Sequence, residues 1–472
     1  DYRPRAHRAV IADTYGKPAT DFQFFRHRNH ACTQTYVSCI VNKRKNFGFC
    51  FKHDYGHASF SYVEHLRQTH TSKSQSAIRH NTRDIIIYYF QVDFVKMIYF
   101  DNAATGGFKP QRVIDATENA MRYLSVNAGH SGHKRAVLAE EYVYKTRKLL
   151  QRFFNAEKCE RVIFTKNCTE ALNTAIFGLI THGNVVVSAY EHNSVLRPLY
   201  HLQRFGKITL TVVEPKFGAV LKSDIERAIC DNTTAVILTG ASNVTGELCD
   251  YEAIGGLLAE KGITFILDGA QVCGHAIVDM KKQNIDVLCF SGHKGMHGIQ
   301  GSGGLIFNKK SQIQPLMFGG TGTESFSELP SGYPELLECG TLNLPAIISL
   351  MEGTLYNAEN FKYKQKRLIA LTAYAIRGLS GVRGIKIYSK QNPVGIVAFS
   401  YADYSSQEVS GILSEQFDIA TRGGYHCAPL CHTFLKTEQN GLVRLSFCEF
   451  NTEDEIDQLL LALKKLPAYI VN

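Results

Sequence analysis

The feature that most constrains this chain is a regular alternation of short apolar strands and amphipathic helices between residues 161 and 307. The β-branched runs predict seven strands, and stretches with helical periodicity lie between several of them. Such alternation indicates an α/β domain with a mostly parallel sheet, in which ligands bind at the carboxyl ends of the strands. The predicted strands are Val162–Thr165, Val185–Ala189, Ile208–Val213, Ala235–Thr239, Thr264–Leu267, Leu288–Ser291 and Gly304–Phe307. The predicted helices include Thr169–Leu179, Ser223–Cys230 and Tyr251–Lys261.

A different pattern follows Pro345, where one long helical stretch leads into shorter elements. The predicted elements are a helix over 346–379, strands near 385–388 and 394–401, a helix over 407–416, and a strand and helix within 443–466. This order is typical of a smaller α+β domain. Because a chain of 472 residues exceeds what one hydrophobic core usually serves, we predict a large domain over 97–345 and a small C-terminal domain over 346–472.

Residues 1–96 differ from the rest in charge, with 15 Lys and Arg against 7 Asp and Glu, whereas the remaining residues hold 37 against 36. Three interpretations compete for this stretch. A basic organelle presequence is one, and a small metal module with ligands among Cys32, Cys39, Cys50, His53 and His57 is another. We favour the third, a disordered or non-domain N-terminal extension that is not part of the working protein.

The composition excludes several classes of protein and partner. It is ordinary for a globular protein, and the main body is nearly neutral, so we expect no nucleic-acid partner. The longest apolar run, Ile85–Phe90, is far shorter than the ~20 residues that span a bilayer, so we expect no membrane partner. The 13 cysteines lack disulfide spacing, which favours reduced thiols and a cytoplasmic location.

Two charged residues follow predicted buried strands of the large domain. Asp268 comes directly after the first, and Lys294 stands among glycines after the second. A buried carboxylate needs a cationic partner, and a lysine at a strand end can act as a nucleophilic amine. Pyridoxal 5'-phosphate (PLP) requires such a pair, because the lysine forms a Schiff base and the acid keeps the ring nitrogen protonated. From the pair alone, a plain structural salt bridge remains an equal alternative.

The cofactor's phosphate group would need its own binding residues. Thr169 lies near the predicted start of a helix, where free N–H groups and the helix dipole favour an anion. Ser291 and His293 flank Lys294 and could supply further donors. His192 follows another strand and could stack on a cofactor ring and move protons. In isolation, each of these residues also fits an ordinary cap or loop position.

Residues 97–472 resemble the class V aminotransferase group of fold-type I PLP enzymes, and within it the cysteine desulfurases and selenocysteine-lyase-like enzymes. The resemblance covers roughly four fifths of the chain, and its motifs occur in family order. These motifs are Tyr99-Phe100-Asp101-Asn102-Ala103-Ala104, Thr169-Glu170-Ala171-Leu172-Asn173, Glu191-His192-Asn193-Ser194, Asp268-Gly269-Ala270-Gln271, Ser291-Gly292-His293-Lys294, Gly340-Thr341-Leu342-Asn343, Arg422-Gly423-Gly424-Tyr425-His426-Cys427-Ala428, Arg444-Leu445-Ser446-Phe447 and Asn451-Thr452-Glu453-Asp454-Glu455.

The resemblance implies a role for each matching residue. Lys294 would bind PLP covalently, Asp268 would pair with the ring nitrogen, Gln271 would contact the ring oxygen, and His192 would stack on the ring. The implied phosphate ligands are Thr169, Ser291, His293 and, from a second subunit, Thr341, so a homodimer is expected. Asn243 and Arg444 would hold the substrate carboxylate, for which the planar fork of an arginine is suited.

Cys427 decides which reaction is expected. A cysteine by itself is more often a small buried hydrophobic residue, but this one lies in a polar, glycine-rich segment. The resemblance implies that it takes sulfur from PLP-bound L-cysteine, releasing L-alanine and leaving a persulfide. Transfer to a sulfur-acceptor protein, for iron–sulfur cluster assembly or thiolation, would follow.

Several alternatives stay open at the level of sequence. Selenocysteine lyase, or another class V aminotransferase or epimerase, keeps PLP and changes the reaction, whereas a non-enzymatic sulfur-relay partner would predict a degraded site. The cysteines and histidines at 426, 427, 431 and 432 are residue types that bind zinc. They form two pairs of adjacent residues, which fit one tetrahedral site poorly, so we expect no metal. Ile299 and Cys168 depart from the family pattern without removing an essential group.

Overall fold

The computed structural model describes residues 97–469 except 130, 216, 217 and 309, together with the backbone of four strands nearer the N-terminus. Those strands are β1 (Phe22–Arg28), β2 (Tyr36–Asn42), β3 (Phe47–Asp54) and β4 (His57–Val63). They pair antiparallel in chain order and belong to a unit, residues 1–95, that is separate from residues 96–472. Within residues 1–96 the structure describes only these strand backbones, and the predicted extension stays a prediction. The side chains of its candidate metal ligands lie outside the described part of the chain.

The larger unit begins with the elements that build and cover a central sheet. In chain order they are β5 (Ile98–Tyr99), α1 (Gln111–Tyr123), α2 (Lys134–Phe153), a 3₁₀ turn (Cys159–Arg161), β6 (Val162–Thr165), α3 (Cys168–Leu179), β7 (Asn184–Ser188), α4 (Asn193–Arg204), β8 (Thr209–Val213), α5 (Lys222–Ala228), β9 (Thr233–Thr239), α6 (Tyr251–Lys261), β10 (Thr264–Asp268), β11 (Val287–Ser291) and β12 (Gly303–Phe307).

The remaining elements include a four-stranded antiparallel sheet and the helices around it. They are α7 (Leu344–Ser380), β13 (Ile385–Ile387), β14 (Ile396–Tyr401), α8 (Ser406–Phe417), β15 (Ile419–Ala420), β16 (Arg422–Gly424), α9 (Pro429–Leu435), β17 (Leu442–Ser446), α10 (Glu453–Lys465) and a final 3₁₀ turn (Leu466–Ala468). Helix α7 packs against α1 and α2 at the large sheet and against α10 beyond it.

The central sheet has seven strands in the order β6, β12, β11, β10, β9, β7 and β8. The pairs from β11 to β8 are parallel, and β12 is antiparallel to both of its neighbours. Strand β12 therefore runs opposite to the other six. The carboxyl ends of those six strands meet at one edge of the sheet, which is where the predicted site residues lie.

Alternating side chains give the sheet a hydrophobic core on each face. Val185 and Val187 of β7 pack in the same core as Leu172 of α3 and Val195 of α4, whereas Val186 packs in the core on the opposite face. All of these side chains are fully buried. Burial on both faces explains why the strands read as continuous apolar runs rather than as alternating ones.

The first described residues of the larger unit belong to the C-terminal layer. Strands β5 and β15 form a short parallel pair that begins with Ile98 on one strand and ends with Ala420 on the other. Asp101 forms an isolated bridge with Ser446. Phe100 is fully buried in the core formed by the C-terminal sheet and its helices. The chain therefore crosses from the smaller layer into the larger one before α1.

The predicted α/β fold with a mostly parallel sheet is confirmed. Strand Val162–Thr165 and helix Tyr251–Lys261 have the predicted bounds, and the other predicted elements of the large sheet agree within one or two residues. Helix α6 is well delimited because Asp250 caps its start and Gly262 ends it in the left-handed region at φ 67°. None of the helices in the described part of the chain has the length and apolar content needed to span a membrane.

Candidate active site

A cleft of about 490 Å³ opens at the carboxyl edge of the central sheet. It is formed by the turns that follow β6, β7, β9, β10 and β11. Eight of the eleven predicted site residues line it: Thr169, His192, Asn243, Asp268, Gln271, Ser291, His293 and Lys294. The sheet thus brings together residues that are up to 125 positions apart in the sequence.

Asp268 supplies a buried acid to the cleft, and Lys294, which is partly exposed, supplies an amine. Asp268 is only 2% exposed, and its Oδ1 accepts hydrogen bonds from the Ala270 N–H at 2.9 Å and the Cys168 thiol at 3.3 Å. Burial raises the pKa of Asp268, and the nearby charge of Lys294 opposes this rise. Burial and the charge of Arg444 lower the pKa of Lys294, which favours a nucleophilic amine.

Several hydrogen-bond donors also line the cleft. Helix α3 starts here, with Asn167 capping it by accepting the Glu170 N–H at 2.9 Å, and Thr169 is its second residue. The Ser291 hydroxyl is buried and has no hydrogen-bond partner within the described part of the chain. His293 contacts the Thr105 hydroxyl at 2.9 Å. These donors suit an anion such as a phosphate group.

His192 caps helix α4 and is held in a defined orientation. Its Nδ1 accepts the Ser194 backbone N–H at 3.0 Å and lies 2.8 Å from the Ser194 hydroxyl. Burial, reinforced by the charge of Lys294, lowers the pKa of His192 to about 4. The ring is therefore neutral at physiological pH, and the hydrogen-bond pattern assigns its proton to Nε2.

Arg444 does not line the cleft but contacts a residue that does. Its Nη1 donates to the Asn243 carbonyl at 2.9 Å, and its Nη2 donates to Asp101 Oδ1 at 2.8 Å. The guanidinium is 1% exposed, and among the described residues its Nε–H has no acceptor. The Asn243 side chain likewise keeps a buried Oδ1 without a donor there. These free groups suit a small polar ligand.

Cys427 lies outside the cleft lining and is exposed. It and His426 both have left-handed backbone conformations, at φ 58° and 50°. The His426 carbonyl accepts the Asn243 side-chain N–H at 2.7 Å, and the Cys427 carbonyl accepts the Asn193 backbone N–H at 2.7 Å. The cysteine segment is thus tied at two successive carbonyls to residues at or next to the cleft.

Of the two remaining predicted residues, Gln271 lines the cleft and Thr341 does not. Gln271 is 2% exposed and donates from Nε2 to the Ala103 carbonyl at 3.2 Å, so its orientation is fixed beside the cleft. Thr341 is exposed and lines a separate cavity of about 850 Å³ together with Lys166 and Glu170. Within one chain, Thr341 is therefore not brought into the cleft, and its expected role across a subunit interface stays a prediction.

Three residues contact the predicted site without having been assigned a role from the sequence. Asp101 pairs with Arg444, Thr105 with His293, and the Ser194 hydroxyl with Thr169 at 2.8 Å. Asp101 and Ser194 lie inside motifs that carried the family resemblance. Their partners were not predictable because the Asp101 contact spans 343 positions and depends on how the two layers meet.

The cysteine and histidine side chains at 426, 427, 431 and 432 are not arranged as a metal site. In the described part of the chain, no three His, Cys, Asp or Glu side chains are placed to hold a metal ion. His432 instead contacts the Thr437 hydroxyl at 2.8 Å through Nδ1, and His426 contacts the Leu442 carbonyl at 3.1 Å through Nε2.

The chain is similar to several known proteins. The family described as Aminotransferase class-V matches residues 98–459. A probable cysteine desulfurase of Borreliella burgdorferi is 30% identical over 408 residues, covering 81% of this chain and 95% of the relative. One of Pyrococcus abyssi is 32% identical over 389 residues, covering 79% and 94%. The apo structure of a cysteine desulfurase from Thermococcus onnurineus superposes with a TM-score of 0.72 at 29% identity, covering 79% of this chain and 96% of that one.

Proposed function

The chain belongs to the class V aminotransferase family and, within it, to the cysteine desulfurases, and we propose that it uses Lys294, bound PLP and Cys427 to move sulfur from L-cysteine onto its own thiol. The fold is accordingly that of fold-type I PLP enzymes. The observation that carries the assignment of Cys427 is its exposed position on a segment that the cleft residue Asn243 holds by a hydrogen bond of 2.7 Å.

The residues of the cleft fit PLP. The buried Ser291 hydroxyl without a partner among the described residues and the start of helix α3 at Thr169 suit its phosphate. The buried carboxylate of Asp268 suits its ring nitrogen, and Lys294 suits its aldehyde carbon. When bound, PLP would withdraw electrons from the substrate carbon that carries the amino group.

The chain's own residues would position the substrate and move protons. The free Nε–H of buried Arg444 supports binding of the substrate carboxylate next to Asn243. His192 is neutral with its proton on Nε2, so it would stack on the cofactor ring as an uncharged imidazole and exchange protons there. Gln271, held by the Ala103 carbonyl, would face the ring oxygen.

The sulfur step uses the thiol of Cys427 as nucleophile. The thiolate attacks the sulfur of the bound cysteine, a sulfur–sulfur bond forms, and the bond from that sulfur to the substrate β-carbon breaks. The β-carbon keeps the electron pair and gains a proton, so L-alanine leaves and Cys427 carries a persulfide. The atoms balance without an external oxidant or reductant, and a thiol acceptor then removes the terminal sulfur.

The wider setting follows from the same proposal. An exposed persulfide on Cys427 suits transfer to an acceptor protein for iron–sulfur cluster assembly or thiolation. A homodimer would let Thr341 of one copy complete the phosphate site of the other. Ten described cysteines are free thiols, which supports a reducing compartment such as the cytoplasm.

The proposed function is tested by measuring L-alanine and sulfide produced from L-cysteine in the presence of a thiol reductant. The full chain is compared with Cys427→Ser, Lys294→Ala and the control Cys230→Ser, which changes another exposed cysteine outside the cleft. We expect turnover by the wild type and by the control, and loss of both products in the two site variants.

Other results would change the proposal. Selenide release from selenocysteine that survives Cys427→Ser, with no sulfide from cysteine, would make the chain a selenocysteine lyase. Amino-group transfer without sulfur release would retain the cofactor and replace the reaction. Sulfide production by Cys427→Ser at the wild-type rate would remove Cys427 from the mechanism.

A further inference from the structure

A buried lysine of helix α7 contacts the segment that carries Lys294. Lys364 is 1% exposed, and its Nζ donates to the Gly295 carbonyl at 2.7 Å and to Asn357 Oδ1 at 2.9 Å. Asn357 also donates to the Gly295 carbonyl, at 3.0 Å. An ammonium group this deeply buried is costly unless it is paired, so its position needs a physical reason.

A second lysine holds the other side of the same segment. Lys109 donates from Nζ to the His293 carbonyl at 3.1 Å. The two carbonyls that flank Lys294 are therefore each bound by a lysine ammonium group. The Lys294 carbonyl itself accepts the His297 N–H at 3.0 Å. Three successive carbonyls, from residue 293 to residue 295, are thus fixed.

Close packing leaves the segment little room to move. A Cβ at Gly353 of α7 would lie 2.1 Å from the Met296 carbonyl oxygen, and one at Gly274 would lie 2.2 Å from the Gly295 carbonyl oxygen. Both distances are far below van der Waals contact, so only glycine permits this approach. The absence of a side chain at Gly353 lets α7 approach this segment closely, and Lys364 of the same helix reaches the Gly295 carbonyl.

A buried acid lies near Lys364 and opposes its charge. Glu449 is 3% exposed, and its Oε1 lies 2.9 Å from His297 Nε2. Burial alone would raise the pKa of Glu449, but the charge of Lys364 and the hydrogen bond from His297 hold this pKa below its usual range. Lys364 Nζ lies 3.0 Å from the same His297 Nε2, so the imidazole stands between the ammonium and the Glu449 carboxylate. The nearby negative charge favours a charged Lys364 next to the Gly295 carbonyl.

We propose that Lys364 and Lys109 are positioning residues, which fix the backbone on both sides of Lys294 and so aim its amine at the cofactor. The inference rests on the proposed function, because it assigns Lys294 the role of binding PLP. Neither lysine lines the cleft, so neither contacts the reacting atoms. Their effect is transmitted through the carbonyls of His293 and Gly295.

The test compares Lys364→Met and Lys109→Met with Lys362→Met, which changes an exposed lysine of the same helix. Methionine keeps the apolar stem and removes the ammonium group. Each unloaded full chain is titrated with PLP to give the dissociation constant and the absorbance spectrum, and kcat and KM are measured after loading. Thermal unfolding of the unloaded chains reports stability separately.

We expect weaker PLP binding and a changed absorbance maximum in Lys364→Met and in Lys109→Met. Loss of alignment should lower kcat by about ten- to a hundredfold with a change of less than about threefold in KM. Leu371→Ala, which removes a buried side chain farther along α7, should lower the unfolding temperature while leaving PLP binding as in the wild type.

The outcomes separate this inference from the proposed function. Normal PLP binding, spectrum and kcat in both variants would overturn the inference alone. A wild-type chain that binds no PLP would overturn the proposed function and the inference together. If Lys364→Met does not fold, Lys109→Met decides the result, because this side chain is only partly buried and the described contact it loses is a single hydrogen bond.

Discussion

His426 should make the protein sensitive to acid, and replacing it by glutamine should remove part of that sensitivity. The imidazole is 4% exposed, and its Nε2 donates to the Leu442 carbonyl at 3.1 Å. Its Nδ1 is buried without a partner among the described residues, so a proton added there has no acceptor. Burial, together with the charge of Arg444, lowers the pKa of His426 to about 2.

The magnitude follows from the difference between the folded and unfolded chains. An unfolded histidine has a pKa of about 6.5, so between pH 6.5 and pH 2 the unfolded chain binds a proton that the folded chain excludes. Stability is therefore lost as the pH falls below about 6.5, at about 1.4 kcal/mol per pH unit. Acidification from pH 7 to pH 5 should cost about 2 kcal/mol through His426 alone.

The assay is urea unfolding of the unloaded wild type and of His426→Gln at pH 7 and pH 5. Glutamine carries an amide near the position of Nε2, can keep the bond to the Leu442 carbonyl and does not titrate. Other groups, such as Glu191, whose pKa burial raises to about 8, titrate in both proteins and cancel in the comparison. The wild type should lose about 2 kcal/mol more than the variant on acidification. Equal losses in the two proteins would refute the reasoning.

Two further predictions concern packing and the acid of the site. Gly353→Ala should cost about 1–3 kcal/mol of stability in urea unfolding, because its Cβ would lie 2.1 Å from the Met296 carbonyl oxygen. The control Gly256→Ala meets nothing within 4 Å and should be neutral or stabilising by about 0.5–1 kcal/mol, so equal effects would contradict the packing argument. Cys168→Ala removes the thiol that donates to Asp268 at 3.3 Å, and at about 1 kcal/mol it should weaken PLP binding about fivefold in a spectroscopic titration. Cys168→Ser should restore the binding, and wild-type affinity in the alanine variant would show that the thiol does not support the carboxylate.

The central sheet was predictable because its signals are local. The strands are buried on both faces and read as uninterrupted apolar runs, and turn residues separate them from the helices. Helix α4 was not among the predicted helices; its apolar residues recur at helical spacing, but Pro198 lies inside it, and a proline argues against a helix interior. Strand β5 was missed because it has two residues and pairs with β15, more than 300 positions away.

The site was predictable where residue type and position at a strand end coincide. Asp268, Ser291 and His192 lie at the carboxyl edge, where a parallel sheet gathers its ligands. Some contacts that hold the site were not predictable, because they join segments that are distant in the chain. The pairing of Lys364 with the Gly295 carbonyl is an example, since neither residue has a local pattern that distinguishes it from an ordinary helix lysine or loop glycine.

The backbone around Cys427 shows how the fold reconciles two requirements on one cysteine. In the function we propose, this residue reacts with a substrate in the cleft and then presents sulfur to an acceptor outside it. Two successive left-handed residues that are not glycine cost of order 1–2 kcal/mol each, and they persist only when their surroundings fix them. The hydrogen bonds from Asn243 and Asn193 to the carbonyls of His426 and Cys427 supply that constraint. Because these contacts hold the backbone while the thiol is exposed, we expect the proposed transfer of sulfur to use rotation of the Cys427 side chain rather than movement of its backbone.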